Sequence, residues 1–343
     1  MKIERLKLAT RALWLLALAL IWLTALPARA VLEPDGANDA AYQNAAINFG
    51  PNLAKVSLLY QGNTYITSGV IISSNWVVTA AHNGYDSQGN PYTTIVGISQ
   101  GVVPNTLRPI EGTWLYPGYN GSGNTVDLML VRLSAPVNAP ALIFGAATTG
   151  SIVTSAGFGS YGTVSGGLNT GDGIARAWQA TVDANTYGGY SSSYYQSTDF
   201  NYRLNGVSLN GRGANGDSGG PVFNSQGQLV GINIAGGGSP IGSTEYLMLS
   251  QPDVYAWIQN TITPVEPQVL SLAREGADVR LVWQGKGGSN YVVQAAATLS
   301  GTNAFSDVSA SITLPGVGPV TTNFLDAGTL TNRPARFYRI RTN

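Results

Sequence analysis

The chain has 343 residues, 44% apolar and only 10% charged, with 18 basic side chains balanced by 18 acidic ones. That balance leaves no basic field to hold nucleic acid, and zero cysteines with a single histidine exclude disulfides and Cys/His zinc sites. The length and 43 glycines predict two domains rich in strands and turns.

The elements begin with a targeting segment. Lys2, Arg5, Lys7 and Arg11 precede an apolar stretch from Ala12 to Leu26, and Ala28-Arg29-Ala30 supplies small residues at a cleavage site, which together predict a secretory signal over 1–30. A membrane anchor needs about 20 apolar residues, and this stretch has 15. Cleavage leaves 13 basic and 17 acidic side chains, a net charge near −4, and no membrane span. Short β-branched or aliphatic runs follow at Val56–Tyr60, Gly69–Ile72, Asn75–Val78, Leu128–Val131 and Leu229–Ile232, separated by Gly, Asn and Ser; this spacing predicts barrels or sandwiches. A helix is predicted at about Gln251 to Ile262, with Val254, Trp257, Ile258 and Ile262 on one face and Ser250 placed to cap it. Pro264 and Pro267 mark a boundary. Beyond it Val279–Trp283, Tyr291–Gln294, Ile312–Leu314 and Phe337–Arg341 read as strands again.

Three segments carry chemistry: Thr79-Ala80-Ala81-His82, Asp127-Leu128-Met129-Leu130 and Gly216-Asp217-Ser218-Gly219-Gly220-Pro221. A serine hydroxyl is a poor nucleophile unless a base takes its proton, and His82 is the only imidazole available. Taken singly, each segment also suits a core histidine, a turn-capping aspartate or a Gly-rich loop. Gly216-x-Ser218-x-Gly220 fits the nucleophile elbow of α/β-hydrolases too, but that fold needs a histidine after the serine and none exists. Gly157-x-Gly159-x-x-Gly162 matches a dinucleotide fingerprint, yet Thr163-Val164-Ser165-Gly166-Gly167 opens no helix, so the run reads as a loop.

Together the three segments, in the order His, Asp, Ser, resemble the signature of trypsin-like serine proteases (family S1), with supporting matches at Trp76-Val77-Val78, Gly157-Phe158-Gly159 and Tyr255-Ala256-Trp257-Ile258. The resemblance covers about residues 41 to 262. It implies an all-β fold of two six-stranded antiparallel barrels with a terminal helix, then a small β-sandwich. The domains are 1–30 signal, 31–262 protease and 263–343 accessory. The last segment, ending in Arg336-Phe337-Tyr338-Arg339-Ile340-Arg341, resembles a fibronectin type III-like sandwich of bacterial secreted proteins, for which a surface or matrix ligand stands beside a passive accessory role.

The resemblance further implies a secreted, periplasmic or surface-attached endopeptidase that acts on protein or peptide substrates without metal or organic cofactor. Ser218 is then the nucleophile, His82 the base and acid, and Asp127 the orienting carboxylate, with the amides of Gly216 and Ser218 as the oxyanion hole. A protease-like binding protein of weak or no activity is the alternative. The sequence departs from the family where cysteines usually stand, at Thr67, Asn83 and Ala214, so loop order is expected to come from packing. No Ile-Val-Gly-Gly start is present; the expected terminus is Val31, leaving Asp217 without its usual ammonium partner. The substrate pocket is assigned to Arg212, Ile234, Gly236 and Tyr246. Arg212 at its base opposes basic and favours acidic side chains, the alternative being a solvated arginine on a Gly-rich loop. Asn233-Ile234-Ala235-Gly236 stands where the family has its Ser-Trp-Gly wall, which implies that the pocket wall and the hydrogen bond supporting Asp127 are altered.

Overall fold

The computed structural model describes residues 31–201, 207–237, 241–263, 266–299, 305–315, 318–328 and 336–342; the expected signal segment 1–30 lies outside them. Among the described residues no helix is long and apolar enough to cross a membrane. The chain divides into two compact units, one through Gln251 and one from Pro252.

The first unit opens with a short strand, β1 (Val31–Glu33), and a helix, α1 (Asp39–Ala46), whose first turn is capped by the Asn38 carboxamide accepting from the Ala40 amide. Six strands then form an antiparallel sheet: β2 (Leu53–Tyr60), β3 (Asn63–Ser73), β4 (Trp76–Thr79), β5 (Thr94–Gln100), β6 (Ile110–Leu115) and β7 (Met129–Leu133), in the order β5-β2-β3-β4-β7-β6. The β2–β3 turn is two residues, Gln61 and Gly62, with φ of 49° and 80°, the left-handed pair whose twist suits a tight hairpin. The edges curl toward each other, and Ile98 and Arg108 exchange backbone hydrogen bonds of 3.0 and 2.7 Å. Val56, Ile71, Val77, Ile98, Met129 and Val131 fill the interior, each such side chain stabilising the fold by about 1.5–3 kcal/mol on leaving water.

The second sheet is a closed barrel, β11-β12-β15-β14-β13-β8. Its strands are β8 (Ile152–Gly157), β11 (Arg176–Val182), β12 (Tyr195–Asn201), β13 (Pro221–Phe223), β14 (Leu229–Gly237) and β15 (Ile241–Met248). Between β8 and β11, the run read as a loop forms a hairpin of β9 (Tyr161–Thr163) and β10 (Gly167–Asn169), with β1 added parallel to β9. That placement buries Val31 completely, and Leu32 exchanges backbone hydrogen bonds of 2.8 and 3.1 Å with Arg212.

The second unit begins with the expected helix, α2 (Pro252–Ile262), which buries Val254, Trp257, Ile258 and Thr261. The Lys286 ammonium donates to the carbonyl oxygens of Thr261 and Thr263 at the helix C-terminus, where a cation also suits the helix dipole. One three-stranded sheet is built on Asp278–Lys286 with Gln268–Glu275 and Pro319–Asp326 as its neighbours, and a four-stranded sheet on Asn290–Ala296. Leu281, Trp283, Tyr291, Val293 and Leu314 share one core.

Candidate active site

The three signature segments are each delivered by the end of a strand. His82 lies in a 3-10 turn directly after β4, Asp127 just before β7, and Ser218 in the turn leading into β13. The His82 backbone amide donates to Asp127 Oδ1 at 2.9 Å, and the imidazole Nδ1 lies 2.6 Å from Oδ2. This two-point hold fixes the ring and leaves Nε2 free to move a proton. Burial pushes the His82 pKa down, but the charge and hydrogen bond of Asp127 outweigh it, and the imidazole ends above its ordinary value.

His82, Ser218, Gly216 and Thr67 line one cleft of about 330 Å³. The Ser218 hydroxyl donates to the Ile234 carbonyl at 3.3 Å. Gly216 and Gly219, with φ of 95° and 85°, turn the backbone around the serine, and a Cβ on Gly219 would overlap the Ser68 carbonyl and the Thr79 hydroxyl; only glycine fits so close an approach. Neither the Gly216 nor the Ser218 amide has a hydrogen-bond partner among the described residues, so both are free to meet an oxyanion.

The order of these loops comes from polar pairing as well as packing, a correction to the sequence expectation. Thr67 Oγ1 donates within reach of both Asn83 Oδ1 (3.1 Å) and the Ser218 carbonyl (2.9 Å), while Asn83 Nδ2 donates to that same carbonyl at 3.1 Å. Two of the three side chains that stand where the family has cysteines, Thr67 and Asn83, are thus in direct contact and jointly hold the serine's backbone. Asp127 has gained a different support: its amide donates to the Tyr195 hydroxyl at 3.1 Å, and that hydroxyl donates to the Thr125 carbonyl at 2.5 Å. Tyr92 hydrogen-bonds the His82 carbonyl at 2.6 Å. No local signal in the sequence marks either tyrosine.

Asp217 is buried, and its two carboxylate oxygens accept from the Gly159 and Ala214 amides at 3.2 and 3.1 Å. Burial raises its pKa to about 7 against the pull of those amides and of Arg176 and Arg212.

The four assigned pocket residues separate. Arg212 is 8% exposed, which removes the solvated alternative; its Nη1 donates to the Gly213 carbonyl at 3.0 Å and its Nε has no partner among the described residues. Gly236 lies flush against Gly213, with a Cβ position in contact with the Arg212 guanidinium. Ile234 reaches the site through its carbonyl, as above. Tyr246 points into the core of the second barrel with Val153, Val182, Val222 and Val230, its hydroxyl on Gln196. Among the described residues no three His, Cys, Asp or Glu side chains are placed to hold a metal ion.

The family model for trypsin matches residues 45–262, and the chain belongs to the trypsin family of serine proteases. It is 32% identical over 223 residues to serine protease SP24D of Anopheles gambiae, covering 60% of this chain and 74% of that protein. It is also 32% identical over 85 residues to snake venom serine protease 5 of Trimeresurus stejnegeri, covering 24% of this chain and 31% of that one. Among solved structures, neuropsin from mouse brain is similar at 19% identity and a TM-score of 0.47, covering 62% of this chain and 95% of that one.

Proposed function

We propose that the chain is an exported endopeptidase working through an acyl-enzyme. The observation that carries this reading is the His82–Asp127 pair at 2.6 Å, with His82 lining the same cleft as Ser218. Ser218 Oγ attacks the scissile carbonyl carbon while His82 Nε2 takes its proton; Asp127 holds the imidazolium, and the Gly216 and Ser218 amides receive the oxyanion. Collapse of the tetrahedral intermediate breaks the C–N bond, the amine leaves with the proton from His82, and a water activated by the same imidazole hydrolyses the ester. A fluorophosphonate probe is expected to label the wild-type chain at Ser218 and to leave Ser218→Ala unlabelled; an unlabelled wild type overturns the reading.

One observation favours the alternative of an inert binding protein: Gly236 packs so closely on Gly213 that a Cβ there would overlap the Gly213 carbonyl, which narrows the approach to Arg212. Under the protease reading the buried Arg212 guanidinium, whose Nε has no partner among the described residues, selects an acidic residue before the scissile bond. The domain plan follows the sequence reading, with a signal at 1–30, the protease at 31–262 and an accessory sandwich at 263–343. Support for a start at Val31 comes from β1, which is hydrogen-bonded into the first unit, so signal removal alone yields the working terminus. Intact-mass measurement of active, secreted material is expected to give a chain beginning at Val31; a later start means that further processing is required.

A further inference from the structure

A second cavity, of about 510 Å³, is unused by this chemistry. It lies against the face of β15 opposite Tyr246, since successive side chains of a strand point to opposite faces, and Asp199, Ser243 and Glu245 line it from paired positions of β12 and β15. Tyr187 and Tyr190 wall it, and Ala235, Gly236 and Gly237 of β14 form another side. No lysine, arginine or histidine lines it among the described residues.

Glu245 makes this more than an acidic patch. The residue is 3% exposed; Oε1 accepts from Ser197 Oγ (2.5 Å), Ser243 Oγ (3.2 Å) and the Tyr187 amide (3.3 Å), whereas Oε2 has no partner among the described residues. A buried carboxylate oxygen without a donor is costly in an isolated protein. Burial raises the pKa of both Glu245 and Asp199, with Asp183 adding repulsion. Tyrosine faces beside carboxylates suit an ammonium or guanidinium group.

The cavity also adjoins the nucleophile. Ile234 accepts from Ser218, and the residues on the cavity wall are the next three along β14. Asn233 is still held on the edge away from β15, its N–H donating to the Gly220 carbonyl and its carbonyl accepting from the Gly219 amide. Beyond it β14 is paired, among the described residues, only with β15, so the edge from Ile234 onward is open to an added peptide strand. At about 3.3 Å per residue, a chain lying there with its scissile carbonyl at Ser218 brings the second to fourth residues before the scissile bond to the cavity. We propose that this cavity binds a lysine or arginine side chain of the substrate at one of those positions. The proposal rests on the protease reading for the position of the scissile bond.

The test uses the purified full chain and two sets of quenched fluorescent peptides, identical but for lysine or norleucine at the second, third or fourth position before the scissile bond. At one position lysine is expected to raise kcat/KM about tenfold, equivalent to about 1.4 kcal/mol, and salt to erode the advantage. Asp199→Asn and Glu245→Gln should each collapse the lysine-to-norleucine ratio toward one; Asp199, at the more exposed end, keeps the test usable if the Glu245 variant does not fold. Equal rates for the two sets, or a lysine preference that survives both substitutions, overturns the proposal. Calorimetry with Ser218→Ala reads the same preference as a ratio of Kd values without hydrolysis. A lysine preference in binding with no cleavage by the wild type upholds the cavity and rejects the protease reading; cleavage without that preference does the reverse.

Discussion

Asp127→Asn is expected to lower kcat by about 10⁴ while leaving the fold intact, the scale seen when a triad carboxylate loses its charge but keeps its shape. The carboxylate accepts from both the His82 amide and Nδ1. An asparagine that turns its NH₂ toward the ring favours the tautomer with the proton on Nε2, which cannot then take one from Ser218. The pH profile should move as well. In the wild type the active base is neutral and its pKa lies above the ordinary 6.5, so the acidic limb of kcat/KM falls above that pH. In the variant the charge that raises it is gone while burial, which lowers it, stays, and the limb shifts below 6.5. Hydrolysis measured from pH 5 to 9 on both proteins checks the pair; a limb at the same pH in each, or a loss under about a hundredfold, would falsify the assigned role of Asp127.

Arg176→Leu should cost about 3 kcal/mol of stability or more, the lower part of the range for breaking a buried ion pair. The guanidinium is 2% exposed and bonds Asp39 through Nε (2.5 Å) and NH2 (2.8 Å) and Asp172 through NH1 and NH2 (both 3.0 Å). Its face lies 3.6 Å from the Tyr161 ring centroid. Thus one side chain of β11 ties together α1, the β9–β10 hairpin and the loop at Asp172. Removing it leaves two carboxylates facing each other near buried Glu33, whose own pKa already stands at about 8 through burial and the charge of Asp39, with Arg176 opposing. Both aspartates are about one-third exposed, which keeps the expected loss near 3 rather than 5 kcal/mol. Urea unfolding gives the loss directly, and adding Asp39→Asn to the variant should recover part of it. A loss below about 1 kcal/mol would place the burden of this corner elsewhere.

What the sequence disclosed is what short segments encode. The strands at Val56–Tyr60, Gly69–Ile72 and Leu229–Ile232 lie inside β2, β3 and β14, and α2 begins one residue after its expected start, because alternation, apolar spacing and prolines are local signals. Strands such as β6, with Gly112 in it, and Gln268–Glu275, exposed along its whole length, lack the buried alternation that announces a strand. Helix α1 has only eight residues, too few for a clear period. His82, Asp127 and Ser218 were legible through fixed residue types at family separations. Tyr195 was not: it reaches Asp127 across 68 residues, from β12 of the second barrel to the segment before β7 of the first sheet, so only the meeting of the two sheets brings them together. The cavity at Glu245 is hidden for the same reason, since Tyr187, Asp199 and Ala235 meet there from separate strands and loops. Arg212 stands out in the sequence by its distance from Ser218, but its burial depends on Gly236 arriving from β14.

The contact between Thr67 and Asn83 has a consequence for biogenesis. A site stapled by disulfides is complete only after thiols have been oxidised, a step that takes seconds to hours and depends on compartment and isomerase. Here the corresponding residues meet as hydroxyl and carboxamide, and both form their bonds at the moment the chain folds. This contact therefore needs no oxidation step and can form in an oxidising or a reducing medium alike, with no electron acceptor and no window in which mispaired sulfurs trap the chain.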